Sequence, residues 1–202
     1  MRCSVISPAL LMCLVLALVW PSAAMAQTKP HGPLFIRFSA GFVVGDRIVD
    51  LSTLTVGGFI VVAGVAFPIA HRKDMEIQAD VSYLDYSGGY YHPGGSQTLS
   101  ARAFGPTALY LYNFVRRGRG VMPFVGGGVN LARTDETQIR EVSNPFFGPG
   151  TFESKTSDWV ASLQITGGAQ FKSQSRMAFR MEGRLGLESR GPLFLILGGI
   201  SF

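Results

Sequence analysis

Polar and apolar positions alternate along much of this chain. In "MEIQADVSYL", residues 75–84, Met75, Ile77, Ala79, Val81 and Tyr83 share one face, and Glu76, Gln78, Asp80 and Ser82 share the other. In "RMAFRMEGRLGLE", residues 176–188, Met177, Phe179, Met181, Leu185 and Leu187 oppose Arg180, Glu182, Arg184 and Glu188. A period of two this regular marks strands with one polar and one apolar side. Eight such runs can be followed, over residues 34–43, 55–68, 75–86, 98–115, 121–134, 157–171, 176–188 and 193–202. The longest apolar run after the N-terminal segment, "GGFIVVAGVAFPIA" at residues 57–70, is rich in glycine and β-branched residues, which favour strand over helix. Most runs exceed the usual strand of about 5–6 residues and fit a tilted membrane strand of about 9–11.

The connections alternate as well. Short basic turns, "AHRKD", "RRGRG" and "KSQS", follow the second, fourth and sixth runs. Longer polar loops, at residues 45–54, 87–97 and 135–156, follow the first, third and fifth. Short turns at one end and long loops at the other are the asymmetry of a transmembrane barrel, with the short turns periplasmic. The expected fold is all-β: an eight-stranded antiparallel up-and-down transmembrane β-barrel. An even strand count returns both chain ends to the same side.

The N-terminal segment reads differently. Arg2 precedes a twelve-residue apolar stretch, "ALLMCLVLALVW", and "PSAAMA" places small residues at Ala24 and Ala26. This predicts a signal peptide over residues 1–26, cleaved between Ala26 and Gln27, with the barrel domain at 27–202. A membrane anchor is the alternative, but the run is short for a helical span. Both cysteines, Cys3 and Cys13, lie in this segment, so the remaining chain offers no disulfide, thiolate metal site or cysteine nucleophile. The chain holds 18 basic and 13 acidic residues, a modest excess that does not suggest nucleic acid as a partner.

Polar-face charges balance. Arg37, Arg102, Arg180 and Arg184 stand against Glu76, Asp80, Glu182 and Glu188. A balanced set suits a closed interior, where an unpaired charge is costly. These eight are expected to form an interior network. Tyr110 and Tyr112 share parity with Arg102 and would then also face inward, unless Gly105-Pro106 makes a bulge.

The final stretch, "LFLILGGISF", resembles the C-terminal insertion signal of bacterial outer-membrane barrels: a terminal aromatic preceded by apolar residues at alternate positions. Phe202, Ile200, Ile196 and Phe194 match it. "MPFVGGGVNLA", residues 122–132, also looks like the proline-, aromatic- and glycine-rich strand of small barrels of the OmpA/OmpX type. The resemblance implies location in the cell outer membrane, outer-membrane lipids as surroundings, the barrel-assembly machinery as a partner during insertion, and a monomer.

Candidate chemistry is sparse. Some eight-stranded outer-membrane barrels modify lipid A, and such acyl transfer needs a nucleophile with a base in reach. His31 precedes the first run and His71 sits in a basic turn. Only His92, in "GGYYHPGGS", falls on the external side, near Asp85 and Ser96. The four-residue spacing of His92 and Ser96 across Pro-Gly-Gly does not support that geometry. No metal-ligand cluster, phosphate loop or dinucleotide fingerprint is present, and no catalytic residue, metal or cofactor is expected. The expected role is therefore non-enzymatic: envelope structure or contact with an unknown surface partner through the external loops. Phe146 and Phe147, in "NPFFGPG", are the candidate contact residues. A narrow pore is the alternative, and a lipid-modifying enzyme the weaker one. Large inward arginines argue against an open channel, because eight strands enclose only enough room for side chains.

Overall fold

The computed structural model describes residues 34–49, 52–69, 72–92, 95–114, 120–144, 148–172 and 177–202. They form eight strands: β1 (Phe35–Val49), β2 (Ser52–Ile69), β3 (Arg72–His92), β4 (Gly95–Asn113), β5 (Gly120–Asn144), β6 (Gly148–Lys172), β7 (Ala178–Glu188) and β8 (Gly191–Ser201). Each pairs antiparallel with its sequence neighbours, and β8 returns to β1, so the sheet closes. Closure satisfies the backbone groups of the ring internally, the requirement for crossing a bilayer with strands.

The strands are staggered. Followed across the ladder from Phe35, the pairing runs through Ala66, Gln78, Leu109, Gly128, Gln164, Gly186 and Leu193, and meets β1 again at Gly45 rather than at Phe35. A stagger of this kind tilts every strand against the barrel axis. It also crowds neighbouring backbones: a Cβ on Gly128 would collide with the carbonyl of Ala108 across the ladder. The glycine-rich stretch of β5 is there for this close approach.

The polarity is inverted relative to a soluble barrel. Phe42, Phe59, Phe104, Leu163, Ile165, Phe179, Met181 and Ile196 all point outward and are exposed, Phe42 at 71%. Arg37, Glu76, Asp80, Arg180, Glu182 and Arg184 are buried inside. An exterior of this composition is stable against acyl chains and not against water. Rings gather near one mouth, where Phe38 meets Phe202 at 6.2 Å and Tyr112 meets Phe114 edge-on at 5.4 Å. Phe59 and Tyr83 pair at 6.1 Å toward the other. Such rings suit the two membrane–water interfaces.

Three segments expected as long loops are mostly strand. The stretches 45–54, 87–97 and 135–156 carry the ends of β1–β2, β3–β4 and β5–β6. Their alternation is hard to see because the inward positions mix Leu54 with the polar Arg47 and Glu136, while exposed Tyr90, Tyr91, Ile139 and Phe152 are scattered among polar residues.

Candidate functional site

The interior is built from two layers. Toward the mouth formed by the short turns lies an ionic cluster. Asp80 and Glu182 share Arg184, whose Nη2 is 2.6 Å from Asp80 and whose Nε is 2.6 Å from Glu182. Glu182 also accepts from Arg37 at 2.9 Å and from Arg180 at 3.0 Å, and from the Thr166 hydroxyl at 2.8 Å. Arg180 reaches Glu76 at 3.5 Å and lies 3.7 Å over the ring of Phe124. The cluster bridges β1, β3 and β7, so it ties opposite walls of the ring across its centre. Period-two alternation puts these side chains there: Glu76, Gln78 and Asp80 on β3, and Arg180, Glu182 and Arg184 on β7, all take the inward parity.

The second layer is apolar. Val43, Leu54, Val56, Leu84, Leu99, Ala101 and Leu193 pack into one buried cluster. Beside it Arg47 donates to the Tyr86 hydroxyl at 2.7 Å and to Glu188 at 2.6 Å. Farther out, Arg190 bridges Glu136 at 3.1 Å and Asp158 at 2.7 Å. Between the layers lies a cavity of about 30 Å³, touched by Arg47, Asn130, Gln164, Arg184 and Glu188. That is room for roughly two waters and no solute. Stacked salt bridges and aliphatic side chains fill the lumen.

Arg102 is not part of this interior. Its side chain is 71% exposed on the outer wall and pairs with Asp85 at 3.2 Å. Tyr110 and Tyr112 share its parity and also point outward. No bulge intervenes, since Phe104↔Arg133 and Thr107↔Asn130 keep one register past Gly105 and Pro106. The inward positions of β4 are held by Ala101, Ala103, Thr107, Leu109 and Leu111 instead. The aromatics were the better guide to this strand's orientation. Glu188 does face inward, but its partner is Arg47, outside the lower cluster. Arg47, Tyr86, Glu136 and Arg190 were missed because three of them fall in or beside stretches that read as loops.

Beyond the barrel rim the sheet continues as four strands. β3 pairs with β4 to the His92↔Gly95 step, β4 with β5 to Gly95↔Val142, and β5 with β6 to Asn144↔Gly148. β7 joins β6 only from Leu163 onward. Among the described residues, the stretch of β6 from Gly148 to Ser162 is therefore paired on one side. Residues 151–159 of this stretch are all exposed, Phe152 and Trp159 among them.

The expected insertion residues line the outer side of β8. Phe194, Ile196 and Phe202 are exposed, Ile200 is half-buried, and Phe202 exchanges backbone hydrogen bonds with Ile36. Ser96 donates to Glu141 at 2.9 Å and Asp85 is held by Arg102, so neither is arranged toward the other. Ala26, Gln27, His31, His71, Phe146 and Phe147 lie outside the described residues. Among the described residues no group of three or more His, Cys, Asp or Glu could hold a metal ion.

No family model matches the chain, and no curated protein matches it. Solved structures do. The outer membrane protein OprG from Pseudomonas aeruginosa superposes with a TM-score of 0.53 at 12% identity, over 85% of this chain and 97% of that one. Neisserial surface protein A gives 0.49 at 15%, over 83% and 95%. Ail of Yersinia pestis, solved with the heparin analogue sucrose octasulfate, gives 0.45 at 13%, over 85% and 100%. Taken with the closed register, the apolar exterior and the charged interior, the likeness to OprG shows an eight-stranded transmembrane β-barrel with the fold of the small bacterial outer-membrane barrels.

Proposed function

We propose that this protein is a non-enzymatic outer-membrane barrel that works by surface contact, through the sheet raised by β3, β4, β5 and β6. The observation that carries this is the one-sided pairing of β6 between Gly148 and Ser162. An unpaired edge offers alternating N–H and C=O groups to an incoming extended segment, with side chains beside it to select the sequence. Tyr90, Tyr91 and Phe152 are exposed rings on the same sheet, and rings supply much of the binding energy at protein contacts. Phe146 and Phe147, in the chain between β5 and β6, are proposed as further contact residues. The partner is a protein segment in extended conformation, met outside the cell.

The filled lumen supports contact over conduction, and the separation of Ser96 from Asp85 gives acyl transfer no support. The test is a barrel shortened by joining Thr137 to Lys155, a ladder pair, through an Asn-Gly turn. Both forms in nanodiscs are offered a displayed library of extended peptides. The full barrel should select a sequence class that the shortened one does not bind. Selection by neither form, or equally by both, overturns the contact role.

A further inference from the structure

The outward position of Arg102 brings it next to a second outward arginine. In the ladder, Tyr83 pairs with Phe104, Phe104 with Arg133, and Arg133 with Trp159. One outward step farther along β4, Asp85 pairs with Arg102 and Arg102 with Asp135. Arg102 and Arg133 are thus diagonal neighbours on adjacent strands, roughly 7–8 Å apart by ladder geometry. They stand where the apolar wall ends, beside the exposed rings of Tyr83, Phe104 and Trp159, and such rings suit the membrane–water interface.

Each guanidinium meets the protein through Nε. Arg102 reaches Asp85 at 3.2 Å; Arg133 reaches the Ser157 hydroxyl at 3.3 Å and Asp135 at 3.7 Å. The two carboxylates are themselves held, Asp85 by the Tyr83 hydroxyl at 3.3 Å and Asp135 by that of Ser157. They hold each guanidinium at Nε and leave the terminal nitrogens without a hydrogen-bond partner among the described residues. The two side chains are 71% and 61% exposed, and paired terminal N–H donors have the forked geometry that takes phosphate oxygens.

We propose that Arg102 and Arg133 bind the phosphate of an outer-leaflet glycolipid whose acyl chains lie along Phe104, Val129 and Leu163 on the wall below. The inference rests on the outer-membrane reading and not on the contact role of the raised sheet.

The test uses the full barrel in phosphatidylcholine nanodiscs doped with bis-phosphorylated lipid A or with the same glycolipid after its phosphates are removed. Native mass spectrometry counts retained glycolipid. An arginine near a charged surface is worth about fivefold, and each here is partly offset by its carboxylate, so the wild type should favour the phosphorylated form at least about fivefold and below the roughly thirtyfold of two unpaired arginines. The double variant Arg102→Gln with Arg133→Gln should lose that preference, and millimolar inorganic phosphate should not compete it away from the wild type. Asp85→Asn with Asp135→Asn keeps an amide oxygen to accept from each Nε and removes the competing negative charge, so it should strengthen retention; Lys155→Gln should leave it unchanged. Equal retention of the two glycolipids by the wild type overturns the proposal, as does a preference that survives in the double arginine variant. If that variant does not fold, an Asp85→Asn, Asp135→Asn form that retains no more than wild type overturns it instead. Equal retention by a wild type that still shifts mobility on boiling sinks this proposal alone; a wild type with no such shift sinks the membrane reading as well.

Discussion

Replacing Arg184 with alanine removes the cation that joins two acids at the centre of the lumen. Arg184 stands 2.6 Å from Asp80 and 2.6 Å from Glu182, with all three side chains at 1% exposure or less. The loss falls unequally. Glu182 keeps Arg37 at 2.9 Å and Arg180 at 3.0 Å, whereas Asp80 keeps only Arg37 at 3.9 Å and a hydrogen bond from Gln78. Breaking a buried pair from one side costs about 3–5 kcal/mol. The remaining arginines, and water entering from the cavity that Arg184 lines, bring the expected cost to about 3 kcal/mol, the low end of that range. Arg102→Ala on the outer wall should cost under about 1 kcal/mol, because its pair is exposed. Urea unfolding from lipid vesicles measures both. Trp159 is the reporter, the other tryptophan being Trp20 in the N-terminal segment. Adding Asp80→Asn to Arg184→Ala should recover more than half of the loss, since it removes the stranded charge. The reasoning fails if Arg184→Ala unfolds within about 0.5 kcal/mol of wild type, a difference typical of surface changes. It also fails if Arg102→Ala costs as much, or if the second substitution rescues nothing.

Unboiled protein should migrate apart from boiled protein in detergent gels, because the closed ladder leaves no edge within the membrane for detergent to open. Wild-type protein should show no steady conductance in a planar bilayer. Joint loss of Arg184 and Arg47, one from each layer of the plug, should produce openings that neither single alanine variant sustains. Ile165→Arg, midway down the outer wall, should cost about 2–4 kcal/mol in vesicles, measured by the same unfolding assay. A soluble barrel with a wet exterior would tolerate that change.

Legibility in the sequence followed the contrast between the two sides of each strand. β3 and β7 have lipid on one side and the ionic cluster on the other, so Met75 to Leu84 and Met177 to Glu188 alternate openly. The closed eight-stranded ring follows from such runs, their length and the parity of their turns. β4 misleads because charge alone does not mark the interior. The interior beside β4 is apolar and narrow, and takes Ala101, Ala103 and Leu109, while Arg102 projects outward just past the end of the apolar band. Phe104, Tyr110 and Tyr112 on the same parity carried the correct orientation. The pairing of Arg47 with Glu188 depends on how β1 is staggered against β8. Stagger is a property of the whole ring and leaves no mark in either strand alone.

The raised sheet is the part of the molecule that least resembles its scaffold. The barrel wall has lipid on one side and a packed lumen on the other, so each residue of a wall strand gains from burial. Between residues 151 and 159 both sides of β6 are exposed. Four strands with two wet faces gain little from burial, and an isolated hairpin is marginal in water. What holds this sheet is continuity: its ladder extends the barrel's own register, so the cost of starting each hairpin is already met at the rim. The free edge is then an aggregation hazard unless something restrains it. Glu153 and Lys155 flank Ser154 on that edge and pair at 2.8 Å, with Glu153 holding the Lys155 ammonium above its ordinary pKa. A strand that docks there must accommodate both charges, and an uncharged apolar strand cannot. Exchanging both for threonine should therefore widen the range of peptides bound and promote self-association in detergent, as read by light scattering. A variant that stays monomeric with unchanged peptide selection would show that these two charges do not guard the edge.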